Sequence, residues 1–422
     1  MTGASFPSRW PAEDGGPRRH AVPLSGRGPR FAPDLVEVRS RPAFGATMVV
    51  LRDPGEAYLL SHTAGPDAVA RVERFDAVTL EPRAESVDLP GGPAWPGGIA
   101  VHGDGALHVV FGNHAHRLDP HLRVEASVEL PRQAPYNSFV TLTDGHLVTK
   151  DFGGRLPGAD PGGHAPPPTE LCVLDPRTLA IVDRCRLPEP SVARLSADGT
   201  SVYVVGTTTV WRADWDGARL RPDPDFAPRY LTRPGQTWGW DAVLALGAAW
   251  FLDDGDGAER YDGALTGRGV STAPLQLVRV DLATGAVTGA EIGSGTGGLV
   301  ANPPVVDEQR RIVVGYDSGN GRMTAFDVAD DGALTPRWSR DQCHGCHPLL
   351  FPDTGELVTD DHDRDRGADQ VVVLDVETGA ERLRVESGSP VQSVLFPAPG
   401  FADDVYVCSF TTLTRVAGTP AV

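Results

Sequence analysis

The chain of 422 residues carries a formal net charge of −18 and has no basic stripe, which excludes a nucleic-acid backbone as its partner. No run approaches the ~18 apolar residues of a membrane span, and the opening MTGASFPSRWPAEDGG lacks the apolar stretch of an export signal, so a cytoplasmic protein is expected. Five cysteines are too few and too scattered for a disulfide framework. Cys172, Cys185 and Cys408 sit in apolar strand patterns and read as small buried hydrophobes.

Residues 1–30 are rich in Pro, Gly and Arg without periodicity, and read as a flexible or irregular arm. Leu35-Val36-Glu37-Val38 then reads as a lone strand. From Thr47 a four-strand unit recurs, and residues 31–422 form one repeat domain. Its signature is an apolar residue followed by Asp at the turn between the third and fourth strands. It occurs at Phe75-Asp76, Leu118-Asp119, Leu174-Asp175, Ala213-Asp214, Val280-Asp281, Phe326-Asp327 and Leu374-Asp375. Asp caps such turns and Gly supplies the positive φ. Insertions fall at Gly153–Pro168 and Gly255–Pro274.

Units begin near Thr47, Trp95, Tyr136, Ser191, Trp240, Asn302 and His347. An eighth, from Gln392, has only three strands: Val391–Phe396, Val405–Ser409 and Leu413–Val416. The lone strand near Val36 can supply its fourth and close the ring. The expectation is an all-β, eight-bladed β-propeller, with seven blades as the alternative. DGTSVYVVG at 198–206 and the VDLATG and LDVETG turns resemble the quinoprotein-like and YVTN-type propellers. That resemblance implies a fold and not a reaction.

Aligning the units on the turn between strands one and two gives two polar columns. Eight residues back lie Asn137, Ser191, Asn302, His347 and Gln392; about six forward lie Asp151, Asp254, Asp317, Asp361 and Ser409. Both columns should open on one mouth of the central channel. The reading makes His347, Asp361 and Asp151 acids or bases, and Asn137, Asn302 and Gln392 substrate ligands. Trp238 and Trp240 could wall a pocket, with His114, and with His62 and His116 in similar loops. Asp254, Asp317 and Asp361 are candidate ligands of a divalent cation such as calcium.

Cys343-His344-Gly345-Cys346-His347 matches the c-type haem pattern, but without an export signal covalent haem is not expected. Zinc on Cys343, Cys346 and a histidine, or a redox dithiol, are weaker readings, and pocket lining or an ordinary loop is the plain one. The expected function is an enzyme acting on a small organic molecule in the funnel, as a metal-assisted lactone or ester hydrolase. The alternatives are a metal-free lyase or cyclase in the same pocket, and a non-catalytic binding scaffold.

Overall fold

The computed structural model describes residues 4–31, 35–154, 166–293 and 295–418. Eight antiparallel sheets follow one another along the chain, each a blade built from neighbouring strands. They span residues 46–92, 98–129, 136–186, 196–222, 243–291, 305–341, 349–386 and, for the eighth, 398–418 together with the N-terminal strand. Val36–Pro42 pairs with Thr412–Gly418 in register from Val36 opposite Gly418 to Pro42 opposite Thr412. The ring therefore closes through its own N-terminus, and the last blade has no open edge. Most of the insertion at Gly153–Pro168 lies outside the described residues.

The repeated Asp turns form as the chemistry requires. Asp76 Oδ1 accepts from the backbone N–H of Val78 and Thr79, and Asp175, Asp281 and Asp375 repeat this pattern. In the fourth and sixth blades the turn falls later than the sequence suggests. Asp214 and Asp327 stay inside strands, and Asp216 and Asp331 make the corresponding turn bonds.

The inner strands are shorter than expected. That of the eighth blade is only Ala398–Pro399, so 391–396 is loop. Asn302, His347 and Gln392 consequently sit on the loops leading into their blades. Among the described residues no helix is long and apolar enough to cross a membrane.

The N-terminal arm has one short 3-10 turn, Glu13–Gly15, yet it is not free in solvent. Five inner strands donate backbone hydrogen bonds to it: Leu51 to Trp10, Val101 to Pro11, Ala197 to Pro17, Leu244 to Arg18 and Leu350 to Ala21. These bonds come from five different inner strands around the ring, so the arm crosses the channel and forms its floor. Trp10 is 1% exposed and joins the core between blades. Asp14, Arg19 and Ala21 adopt positive φ (48°, 55° and 53°), a region costly for residues other than glycine. Packing from all sides must hold them there.

Candidate functional site

Above this floor lies a cavity of about 320 Å³. Trp95, Trp240, Tyr261, Phe396 and Phe410 contribute aromatic wall, and Leu265 and Val394 add apolar surface. Trp95 stacks on Phe152 with ring centroids 4.3 Å apart and lies parallel to Trp240 at 6.4 Å. The polar groups are few: His62, Arg194, Asn302 and His347.

His347 is the best positioned of them. Its Nδ1 lies 2.9 Å and 3.1 Å from the two carboxylate oxygens of Asp14. Its ring packs on Phe396 at a centroid distance of 3.8 Å. Arg19 holds the other side of Asp14, with Nη1 3.0 Å from Oδ2. Burial opposes ionisation of Asp14 most strongly, but His347 and Arg19 outweigh it and hold the carboxyl below its ordinary range. Nδ1 is therefore fixed, and among the described residues no hydrogen bond reaches Nε2.

Arg194 builds the adjoining wall. It bonds Glu13 Oε2 and Gly97 O, both at 3.0 Å, as well as the carbonyl of Asn137, and its guanidinium lies 4.6 Å over Phe396. Arg19 shares the same Glu13 oxygen at 3.0 Å. Gly98 makes room for Glu13, because a Cβ there would fall 2.0 Å from Oε1.

A roof covers the opposite side. The insertion at 255–274 supplies Ala258, Tyr261 and Leu265 to the cavity. It is tied to the eighth blade through Gln392, whose backbone N–H donates to Gly263 O and whose Oε1 accepts from Leu265 N at 2.7 Å. Tyr261 Oη donates to Gln392 O at 2.8 Å. Gln392 is thus occupied as a tether, and its side-chain N–H also donates to Cys343 O.

The remaining candidates separate. Asn302 lines the cavity, with its Nδ2 spent on the carbonyls of Gly345 and Val394. Asn137 is buried and donates to Val192 O. Trp240 lines the cavity; Trp238 packs behind it. His114 and His116 stack on each other within the second blade and bond the carbonyls of Gly91 and Pro90, away from the cavity.

The acids are mostly structural. Asp151 accepts from Arg132 and from Glu170 N–H, and Asp361 accepts from Arg384 at 2.9 Å and Cys343 N–H at 2.8 Å. Neither is a free base, because both carboxylate oxygens are already engaged. Asp254 and Asp317 come near each other beside Gly298, where a Cβ would lie 3.1 Å from an oxygen of each. Burial first, then the charge of Asp253, push Asp254 well above the usual carboxylate range. Asp361 is not with them, so the three acids expected to hold a cation do not converge. Among the described residues, the one set of three or more ligand-type side chains that close to within 4.8 Å of one another is His344, Cys346 and Asp360.

Reading the sequence missed Asp14, Arg19, Arg194, Trp95, Tyr261 and Phe396. One signal was present: Trp95 opens the second unit as Trp240 opens the fifth.

Fold and site together define an eight-bladed β-propeller whose channel is floored by its own N-terminus. No protein-family profile matches the chain, and no curated protein matches it by sequence. Among solved structures it is similar to a quinohemoprotein alcohol dehydrogenase from Pseudomonas putida HK5, with TM-score 0.63 and 10% identity over 99% of this chain and 82% of that one. It is also similar to BamB from Moraxella catarrhalis, with TM-score 0.56 and 12% identity over 91% of this chain and 99% of that one. The computationally designed Ika8 gives TM-score 0.57 and 10% identity over 89% and 96% of the two chains. At such identities the likeness is one of fold.

Proposed function

We propose that the protein is an enzyme acting on a small, largely apolar or aromatic molecule in the central cavity, with His347 moving the proton. The observation that carries this reading is the Asp14–His347 pair at the base of an aromatic-walled cavity. A buried carboxylate on Nδ1 fixes the ring tautomer and stabilises the imidazolium that forms when Nε2 takes a proton. The positive φ of Asp14 and Arg19 supports the same reading, since strained backbone held by surrounding packing is common at reactive sites. Trp95 and Trp240 would bind the apolar body of the substrate, and Asn302 and Arg194 lie beside its polar end.

Of the reaction classes open to such a site, metal-free proton transfer is favoured, as in a lyase, a cyclase or a hydrolase using His347 as base. Of the acids expected to bind a catalytic cation, Asp361 is spent on Arg384 and the Cys343 N–H and does not join Asp254 and Asp317. A scaffold reading is less favoured, because a scaffold has no need of a buried, charge-matched floor.

The test is a panel of aryl esters, lactones and compounds with an acidic C–H beside a leaving group. Turnover of one of them is expected to fall by ~10²–10⁴ in His347→Gln. Binding, read by the fluorescence of Trp95 and Trp240, should change little. Binding and turnover both unaffected by His347→Gln would contradict the reading.

A further inference from the structure

Behind the wall formed by Asn302 and His347, a second cluster is sealed from solvent between the sixth, seventh and eighth blades. His344 is 0%, Cys346 2%, Asp360 1% and Asp369 1% exposed. His344 and Cys346 lie on the loop leading into the seventh blade, Asp360 on its second strand Glu356–Asp363, and Asp369 on its third, Ala368–Asp375. The ligand atoms of His344, Cys346 and Asp360 lie within 4.8 Å of one another.

Part of this cluster has an ordinary explanation. Asp360 Oδ1 accepts from Gly345 N–H at 2.8 Å and Cys346 N–H at 2.9 Å, and His344 Nδ1 stands 2.8 Å from it. Those bonds alone would make Asp360 a loop cap. They leave too much unsatisfied, however. Among the described residues Asp360 Oδ2 and His344 Nε2 have no hydrogen bond of normal geometry, and the carboxyl of Asp369 meets only the backbone of Ser393 and the carboxyl of Asp360. His362 stands opposite Asp369 in the strand pairing and two residues from Asp360, so all three share one face of the blade. Neither ring nitrogen of His362 has a partner. Buried polar atoms left unpaired each cost about 1–3 kcal/mol, and several gathered at one point call for a common partner.

The donor chemistry identifies that partner. A thiol with imidazole and carboxylate is a soft-to-borderline set, suited to zinc and poorly suited to calcium or magnesium. The two cysteines of the C-x-x-C stretch also separate. Cys343 Sγ lies 3.3 Å from where a Cβ on Gly321 would fall, whereas Cys346 belongs to the buried cluster.

We propose that His344, Cys346 and Asp360 bind one divalent transition-metal ion of the zinc type. The ion would cross-link the leading loop of the seventh blade to its second strand. It lies one residue from His347 and would fix the backbone that carries that side chain. The site is structural, and the inference stands whether or not His347 transfers protons.

The test uses the full-length protein. Elemental analysis after gel filtration without added metal is expected to give about one zinc per chain. Chelator-treated protein given cobalt(II) alone should develop thiolate-to-cobalt absorption in the near ultraviolet. That absorption should be lost in Cys346→Ser and kept in Cys343→Ser. If Cys346→Ser does not fold, the wild-type cobalt spectrum decides by itself, since only a thiolate ligand gives the near-ultraviolet band. Folded wild-type protein that carries no stoichiometric metal and takes up no cobalt would overturn the proposal. So would a band that survives Cys346→Ser or disappears in Cys343→Ser.

Discussion

Asp14 and His347 are 333 positions apart in the chain, yet Oδ1 of one lies 2.9 Å from Nδ1 of the other. The contact exists because the N-terminal arm runs through the ring before the first blade begins. It makes the arm part of the cavity, and its removal a functional as well as a structural change.

The arm should therefore be needed for stability. Trp10→Ala is expected to cost about 3–5 kcal/mol, the usual loss for a fully buried indole. Deleting residues 1–25 removes Trp10, Glu13, Asp14 and Arg19 together and leaves Arg194 buried without Glu13. From sequence, a cut at 25 would be judged harmless; the packed floor reverses that judgement. Chemical denaturation of the two variants against the full chain measures both effects.

One side chain supplies part of what ties the roof down. Gln392→Ala removes the bonds to Leu265 N–H and Cys343 O, worth roughly 1–3 kcal/mol when both are buried. Faster amide exchange is expected across 255–274, with little change in the blades. Unchanged exchange there would show that the Tyr261 hydroxyl and the Gln392 backbone bond to Gly263 suffice to hold the roof.

Lys150 gives a pH signature. Its ammonium is buried and, among the described residues, bonds the carbonyls of Asp151 and Ser191. Burial, assisted by Arg194 and Arg19 and opposed by Asp151 and Asp241, pushes its pKa down to about 7. Between that value and the ordinary lysine range the unfolded chain binds the extra proton, so this group makes stability rise with pH. Lys150→Met lacks that rise. Its stability relative to wild type should fall by about 2–3 kcal/mol from pH 7 to pH 9, read by urea unfolding at each pH. A constant difference would mean Lys150 is not titrating there.

The ring was legible because its signals are local. Apolar-Asp turns such as Leu374-Asp375, and a three-strand last unit, specify blades and closure without long-range information. The floor was not legible, since residues 1–30 carry no period and their contacts are all distant. The acids illustrate a second limit. Asp360-Asp361 is an adjacent pair within one strand, where neighbours face opposite sides. Offsets from the turn glycine place the pair but not which member turns inward: Asp360 caps the leading loop, while Asp361 goes to Arg384. His347 survived because its loop position does not depend on that alternation.

The central claim is that His347 presents a bare Nε2 to a molecule in the cavity while Asp14 holds Nδ1–H. Nitrogen-15 chemical shifts of the His347 ring, followed during titration with a compound that quenches the Trp95 and Trp240 fluorescence, test it most directly. The account predicts an Nδ1–H tautomer before addition, and a shift of Nε2 on binding that Asp14→Asn weakens. A ring with Nε2–H and bare Nδ1, or an Nε2 signal indifferent to a bound ligand, would contradict it.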